Sequence, residues 1–332
     1  MTSKLFYYPH NQNYNSYSTS LKSCIEHVEK NTSESLTDFF SFKYFLKPKK
    51  IVLNWFEDYP FDGNRLKFKR LLVFVIFVLC FLAPYNQIIW VRHNYSRHNG
   101  KGFIRLISLI LGKLLSIVAS RRVVLSKKFA QKNKSYSYLP HIKYGSFKST
   151  ESCSNDLYNF ALVGKLEPRK KIATLLEFWP SHLPLYIAGE CDYQYREKLE
   201  SIIESRRLTK VNLDIRCLSI EEYECVLEQA QCILNMHGNS TNIVSGSLIH
   251  ALSRRKHVIC MATEYSKELS MFLPSAITNI HKMEELKTLD FKDKLFSDLD
   301  WQVFQEHFGR VNQLKHLEVI LSSKKRSVLE GL

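Results

Sequence analysis

The nine residues Val163-Gly164-Lys165-Leu166-Glu167-Pro168-Arg169-Lys170-Lys171 put four cations directly behind a glycine. A glycine lets a ligand come close to the main chain, and cations beside it can pair with a diphosphate. A tight turn before a basic helix start would use the same residues. The concentration of charge in an otherwise slightly acidic half favours the phosphate reading. A second stretch, Asn235 to Ser247, collects His237, Asn239, Ser240, Ser245, Gly246 and Ser247 just ahead of an apolar helix. Small hydroxyl and amide residues there cap the helix and leave its first N–H groups free, and such groups bind phosphate. An ordinary capped loop has the same composition, but its position after a strand favours the binding reading. Glu190, behind Ala188-Gly189, either faces the same ligand or caps the helix that follows.

Two other loops offer a proton acceptor. Asn54-Trp55-Phe56-Glu57-Asp58-Tyr59 contains two adjacent carboxylates, and Arg92 to Gly100 contains His93 and His98. Histidine already titrates near neutral pH, whereas a carboxylate must have its pKa raised to act as a base. Glu57, Asp58 and His93 are therefore the base candidates, unranked, with Asp62 further into its loop and behind them.

These residues need strand ends to hold them. In the first half, apolar runs predict strands at Lys4–Tyr8, Ile51–Trp55, Gln87–Val91 and Arg122–Ser126. Helices are predicted over Ser20–Glu29, with Leu21, Cys24, Ile25 and Val28 at helical spacing, and over Phe103–Ala119. In the second half, strands at Asn159–Val163, Pro184–Ala188, Asn212–Arg216, Cys232–Asn235 and His257–Cys260 alternate with helices near Ile172–Phe178, Tyr193–Ser205, Ile220–Gln229 and Val244–Ser253. Alternation of this kind predicts an α/β fold with open parallel sheets, whose ligands bind beyond the carboxyl ends of the strands. The phosphate-binding candidates all follow strands. Trp301 to Ser322 reads as amphipathic helix able to pack back on the first half. Expected boundaries are an N-terminal domain over 1–145, a linker over 146–156 rich in serine, a second domain over 157–295 and closing helices over 296–332.

Composition limits the alternatives. A chain of 332 residues with 45% hydrophobic and 13% aromatic residues can bury two cores and is not a disordered chain. Residues 1–150 hold 24 Lys+Arg against 7 Asp+Glu, while the remainder is nearly neutral. A field confined to one half attracts an anionic surface, a lipid diphosphate or an acidic polymer. The basic half contains no recognised nucleic-acid motif, so no nucleic acid is expected. Eight cysteines without a CxxC pair predict buried thiols in a reducing compartment, with neither a zinc site nor a disulfide framework. The N-terminus is too polar for a signal peptide. Leu71–Ala83 is too short for a membrane span and reads as a helix buried against a sheet. Phe103–Ala119 with Lys127, Lys128, Lys132 and Lys134 forms either an interfacial membrane patch or a buried crossover helix beside a solvated charge run.

The turn VGKLEPRK, the strand and turn LYIAGE, and the segment SGSLIHALSRRKHVIC together resemble the second domain of GT-B glycosyltransferases. IIWVRHNYSRH likewise resembles a histidine-bearing segment of enzymes that assemble bacterial capsule, exopolysaccharide and O-antigen, with Arg97 in place of a proline. The resemblance implies two Rossmann-like domains with an interdomain cleft and a nucleoside-diphosphate sugar as donor substrate. It implies no tightly bound cofactor and no metal. A saccharide or lipid-diphosphate-linked acceptor is the second substrate, in surface polysaccharide synthesis at the cytoplasmic side, either free or at the anionic inner face of the membrane. Lys165, Arg169 and Lys170 inherit the diphosphate by position. Retaining members carry two glutamates eight residues apart; here Asn242 and His250 stand instead, which points to inversion and to a base on the first domain. A nucleotide-sugar isomerase or epimerase of similar fold, or a non-catalytic basic protein binding an anionic polymer, are the other readings.

Overall fold

Short apolar runs that end at glycine or at polar turns suit strands covered on both faces, and such strands pair in parallel. The structure, a computed structural model, describes residues 4–10, 16–39, 48–62, 65–81, 86–95, 102–145, 158–237, 243–291 and 295–322. Asn239, Ser240, Asn242, Arg97, His98 and the expected linker 146–156 lie outside them. Contacts divide the chain into two compact units. One is drawn from Met1–Ile142, Thr241–Val244 and Phe308–Leu332, the other from Lys143–Ser240 and Ser245–His307.

In the first unit the order is β1 (Lys4–Tyr8), α1 (Ser16–Glu29), β2 (Glu34–Ser35), β3 (Lys49–Asn54), the hairpin of β4 (Phe61–Asp62) and β5 (Arg65–Leu66), α2 (Phe68–Phe81), β6 (Asn86–Arg92), α3 (Gly102–Val118), β7 (Arg121–Val124), α4 (Lys127–Lys132) and β8 (Tyr136–Tyr138). Six of these strands form a parallel sheet in the order β2-β1-β3-β6-β7-β8. Its core holds Phe6, Ile51, Leu53, Ile88 and Trp90 from the sheet and Phe74, Phe77, Leu111 and Leu115 from α2 and α3. The two-residue β2 and the short β8 carry too few apolar residues for periodicity to reveal them.

The second unit runs β9 (Tyr158–Val163), α5 (Ile172–Phe178), β10 (Leu185–Ala188), α6 (Tyr193–Ser205), β11 (Val211–Asp214), α7 (Ile220–Gln229), β12 (Ala230–Asn235), α8 (Gly246–Ser253), β13 (His257–Met261), α9 (Glu264–Ser270), β14 (Ile277–Ile280) and α10 (Asp298–Phe308). The sheet order is β11-β10-β9-β12-β13-β14, parallel throughout. This is the doubly wound order, and the direction of winding reverses between β9 and β12. Here sequence and structure agree closely, and four of the helices, α6 to α9, start on a side-chain cap. Asp192 caps α6 and Ser245 caps α8, while Ser219 and Glu222 form a reciprocal capping box on α7.

The amphipathic stretch over Trp301–Ser322 divides at Gly309 into two helices, α10 and α11 (Arg310–Ser322), of which α11 packs on α1 within the first unit. Two expectations need correction. The Leu71–Ala83 segment is helical through Phe81 but is not buried all round. Phe74, Phe77 and Val78 enter the core, while Phe68, Leu72 and Ile76 are exposed. A helix apolar on every side can press only one face on a sheet, and the other stays open unless something else covers it. Cys225 is disulfide-bonded, whereas Cys24, Cys191, Cys217, Cys232 and Cys260 are free thiols. Pairing requires Cα atoms about 6 Å apart, which linear spacing does not report.

Candidate functional site

In an open doubly wound sheet, neighbouring loops diverge where the winding reverses and leave a crevice. The loops after β9 and β12 meet this condition. Beyond β9 the chain turns at Gly164, with φ +104°, and beyond β10 at Gly189, with φ +149°. These two turns run in contact. A Cβ placed on Gly189 would lie 2.3 Å from the Gly164 carbonyl oxygen. Gly164 N–H donates to the Ala188 carbonyl at 3.0 Å, and Leu166 N–H to that of Glu190 at 2.7 Å.

A 3₁₀ turn over Pro168–Lys170 then leads into α5. Its cations divide into two kinds. Arg169 donates to the Glu167 carboxylate, and the Lys165 ammonium lies 3.8 Å from the same group. Lys170 instead folds back toward Gly164, its Nζ 3.5 Å from where a Cβ of that glycine would lie, close to Tyr223 of α7. Among the described residues no carboxylate forms an ion pair with it. Burial, reinforced by Arg169, lowers its pKa to about 8. A partly dehydrated cation aimed at a bare stretch of backbone can gain much from an anion.

Lys170 lines a small hollow with Tyr223, Asn235, Met236, His237 and Ser247. Asn235, the last residue of β12, donates from Nδ2 to Ser245 Oγ at 3.1 Å and to Ser247 Oγ at 3.3 Å. Ser245 Oγ also accepts the Leu248 N–H, so the start of α8 is held against the end of its strand. The candidates Gly164, Lys170, His237, Ser245, Gly246 and Ser247 are thereby gathered around one end of the sheet. Lys165 and Arg169 are turned to Glu167, and Asn239 and Ser240 are not described. Glu190 is exposed, and the helix-capping role open to it belongs to Asp192, which accepts the Tyr195 N–H at 2.9 Å. Tyr223 and Asn235 were not singled out in the sequence. Tyr223 comes from a remote helix with no local signal, while Asn235 could have been found as a polar residue closing an apolar strand. His250 Nε2 donates to the Glu224 carboxylate at 2.9 Å, the ring stacks on Tyr144 at 4.2 Å, and Arg254 donates to the same carboxylate.

In the first unit, β3 ends at the buried Asn54 and is followed by Trp55 at φ +49°, a strained value for an indole side chain. Asn54 Nδ2 donates to the Tyr8 carbonyl at 3.1 Å, which turns its Oδ1 toward His93 Nε2, 3.2 Å away. His93 Nε2 therefore carries the proton and Nδ1 is the basic atom. Trp55 stacks on the imidazole at 4.0 Å and Tyr17 meets it edge-on at 5.1 Å. Burial, with His141 nearby, holds the His93 pKa well below its usual value, so the ring is neutral at pH 7.

Glu57 lies in the 3₁₀ turn after Trp55, buried, with its carboxylate accepting the Trp90 indole N–H at 2.9 Å. Burial and the neighbouring Asp58 raise its pKa to about 7. Asp58 is half-buried, and Asp62 is exposed and pairs with Lys67 at 3.4 Å. A carboxyl whose folded pKa exceeds its ordinary 4.5 favours folding fully below that value, and loses this contribution as pH rises through about 7. Glu57→Gln keeps an acceptor for Trp90 but cannot ionise. Urea unfolding at pH 5 and pH 8 is expected to show the native chain losing about 2 kcal/mol more than the variant between the two.

No known family profile matches the chain, and no curated protein sequence matches it. Solved structures do. HepE of Anabaena, crystallised with UDP, aligns over 97% of this chain and 100% of its own at TM-score 0.67 and 11% identity. Sucrose-phosphate synthase from Thermosynechococcus elongatus aligns over 86% of this chain and 73% of its own, at TM-score 0.54 and 14% identity. The UDP-forming trehalose-phosphate synthase of Burkholderia vietnamiensis aligns over 94% and 79%, at TM-score 0.51 and 10% identity. The two parallel six-stranded sheets of this chain thus have the fold of GT-B glycosyltransferases.

Proposed function

We propose that the chain is a glycosyltransferase that moves a sugar from a nucleoside diphosphate to a saccharide or lipid-linked saccharide acceptor. The observation that carries this reading is the crevice between β9 and β12. The Gly164 turn, backed by that of Gly189, brings open backbone there, a half-buried Lys170 points at Gly164, and the capped start of α8 closes the other side. That combination offers a diphosphate a desolvated cation and free N–H donors, which would hold the leaving group as its charge develops. HepE has been crystallised with UDP-glucose, which favours a uridine diphosphate sugar as the donor.

In this proposal His93 is the base. It is neutral, its tautomer is fixed by Asn54, and an unprotonated Nδ1 can take the acceptor hydroxyl proton. Asn242 and His250, neither of them acidic, suit an inverting transfer. The donor is held by protein groups without a tightly bound cofactor, and surface polysaccharide synthesis is the pathway class that fits an acceptor of this kind.

Thermal denaturation with UDP, GDP, ADP and CMP tests the donor site. One nucleotide is expected to raise Tm by several degrees when present at about 100 times its Kd, a stabilisation of about 2.7 kcal/mol. The corresponding nucleotide sugar should then release nucleoside diphosphate faster when acceptor is added. No shift with any nucleotide would exclude the donor site, and sugar interconversion without acceptor would favour an isomerase.

A further inference from the structure

Helices α2 and α3 pack on each other and on the first sheet through Phe74, Phe77, Leu111 and Leu115. Their other faces are apolar too. On α3, Phe103, Leu106, Ile110, Leu114 and Ile117 recur at spacings of three and four and are 73%, 54%, 50%, 36% and 54% exposed. On α2, Phe68, Leu72 and Ile76 do the same. Scattered apolar side chains are normal at a protein surface, but two neighbouring stripes on adjoining helices form a contiguous patch.

The segment that carries this patch has charge of one sign. From Gly63 to Thr150 the sequence has 17 Lys+Arg and no Asp or Glu. Lys69, Arg105 and Lys113 are exposed on the two helices themselves, and just before α2 lie the exposed Arg65 and Lys67, the latter paired with Asp62. A second copy of the chain docked on this face would bring these cations against their own kind. A nucleic acid would satisfy the charges but leave the apolar stripes in water. An anionic bilayer satisfies both, since acyl chains take the leucines and isoleucines while headgroups take the ammonium and guanidinium groups. Helix length fixes the mode of contact. No described helix is long and apolar enough to cross a membrane, so α2 and α3 can only lie in the interface.

We propose that the outward face of α2 and α3 docks the protein on a lipid bilayer containing anionic headgroups. This goes beyond sugar transfer and holds whether or not the chain is a transferase. The test is sedimentation of the full chain with vesicles of phosphatidylcholine alone or with about one-third phosphatidylglycerol. The variants are Leu106→Gln/Ile110→Gln/Ile117→Gln and Arg105→Gln/Lys113→Gln. All five positions are exposed, so folding should be retained, as circular dichroism would verify. Expected is binding to the anionic vesicles that falls roughly tenfold or more on neutral vesicles and in the apolar triple variant, with a smaller loss in the charge variant at low salt. Equal binding to both vesicle types, unchanged binding by the triple variant, or a lipid-free dimer that the triple variant dissociates would each overturn the proposal.

Discussion

Gly189→Ala is expected to lower the stability of the second unit by about 4 kcal/mol or more, among the largest effects a single methyl group can have. The added carbon would stand 2.3 Å from the Gly164 carbonyl oxygen and 2.7 Å from its carbonyl carbon. Neither atom belongs to a flexible side chain. Relief would require the ends of β9 and β10 to separate, breaking the Gly164-to-Ala188 hydrogen bond. A positive φ of 149° adds strain that alanine bears poorly. Gly164→Ala provides the contrast. Its Cβ would meet only Lys170 Nζ at 3.5 Å and Tyr223 at 3.7 Å, both ordinary contacts, so its cost is limited to about 1–2 kcal/mol of backbone strain. Denaturant midpoints of the two variants measure the difference. Equal losses would mean that the two turns do not lock each other as the geometry requires.

Lys170→Met is expected to weaken nucleoside-diphosphate binding about 100-fold, a loss of about 2.7 kcal/mol, while leaving or slightly raising stability. The stability sign follows from the depressed pKa. The unfolded lysine holds its proton to higher pH than the folded one, so the native chain carries a charging penalty at pH 7 that fades as pH rises beyond about 8. Methionine has a similar length and no such penalty. A diphosphate placed beside the ammonium favours its charged form, so binding should take up a proton near pH 8 and weaken at higher pH. Calorimetric titration in buffers of different ionisation enthalpy between pH 7 and pH 9 would show that uptake in the native chain and none in the variant. Unchanged affinity in Lys170→Met would remove the ammonium from the diphosphate site.

The second sheet was legible because its local signals agree. Helices α5, α6 and α7 begin and end where periodicity places them, with side-chain caps at the starts of α6 and α7, and the strand ends at Val163, Ala188 and Asn235 are all marked by a change to glycine or polar residues. Lys170 was legible as a cation near a glycine. That it, and not Arg169 or Lys165, turns toward the glycine was not, because the choice depends on Glu167 engaging the other two. In the first unit, His93 was legible as a titratable group after a strand. Asn54 and Trp55, at the end of β3, and Tyr17, on α1, set its tautomer and burial and come from two other segments that only the fold brings beside it. Glu57 is a similar case. The sequence marks it as a carboxylate after a strand without showing its burial, and the indole of Trp90, 33 positions away, explains why it is tolerated inside.

The reversal of winding between β9 and β12 also has a kinetic side. These strands pair directly although residues 164–229 lie between them, so closing that ladder costs the entropy of a long loop before any of its hydrogen bonds form. Gly164 and Lys170 sit at one end of the loop and Asn235, Ser245 and Ser247 beyond the other, so the crevice proposed for the diphosphate comes into being in the same step that joins the two halves of the sheet. A chain caught before that step would have β9, β10 and β11 available to pair but not the complete crevice, and a nucleotide bound as proposed would slow unfolding by holding shut this non-local seam.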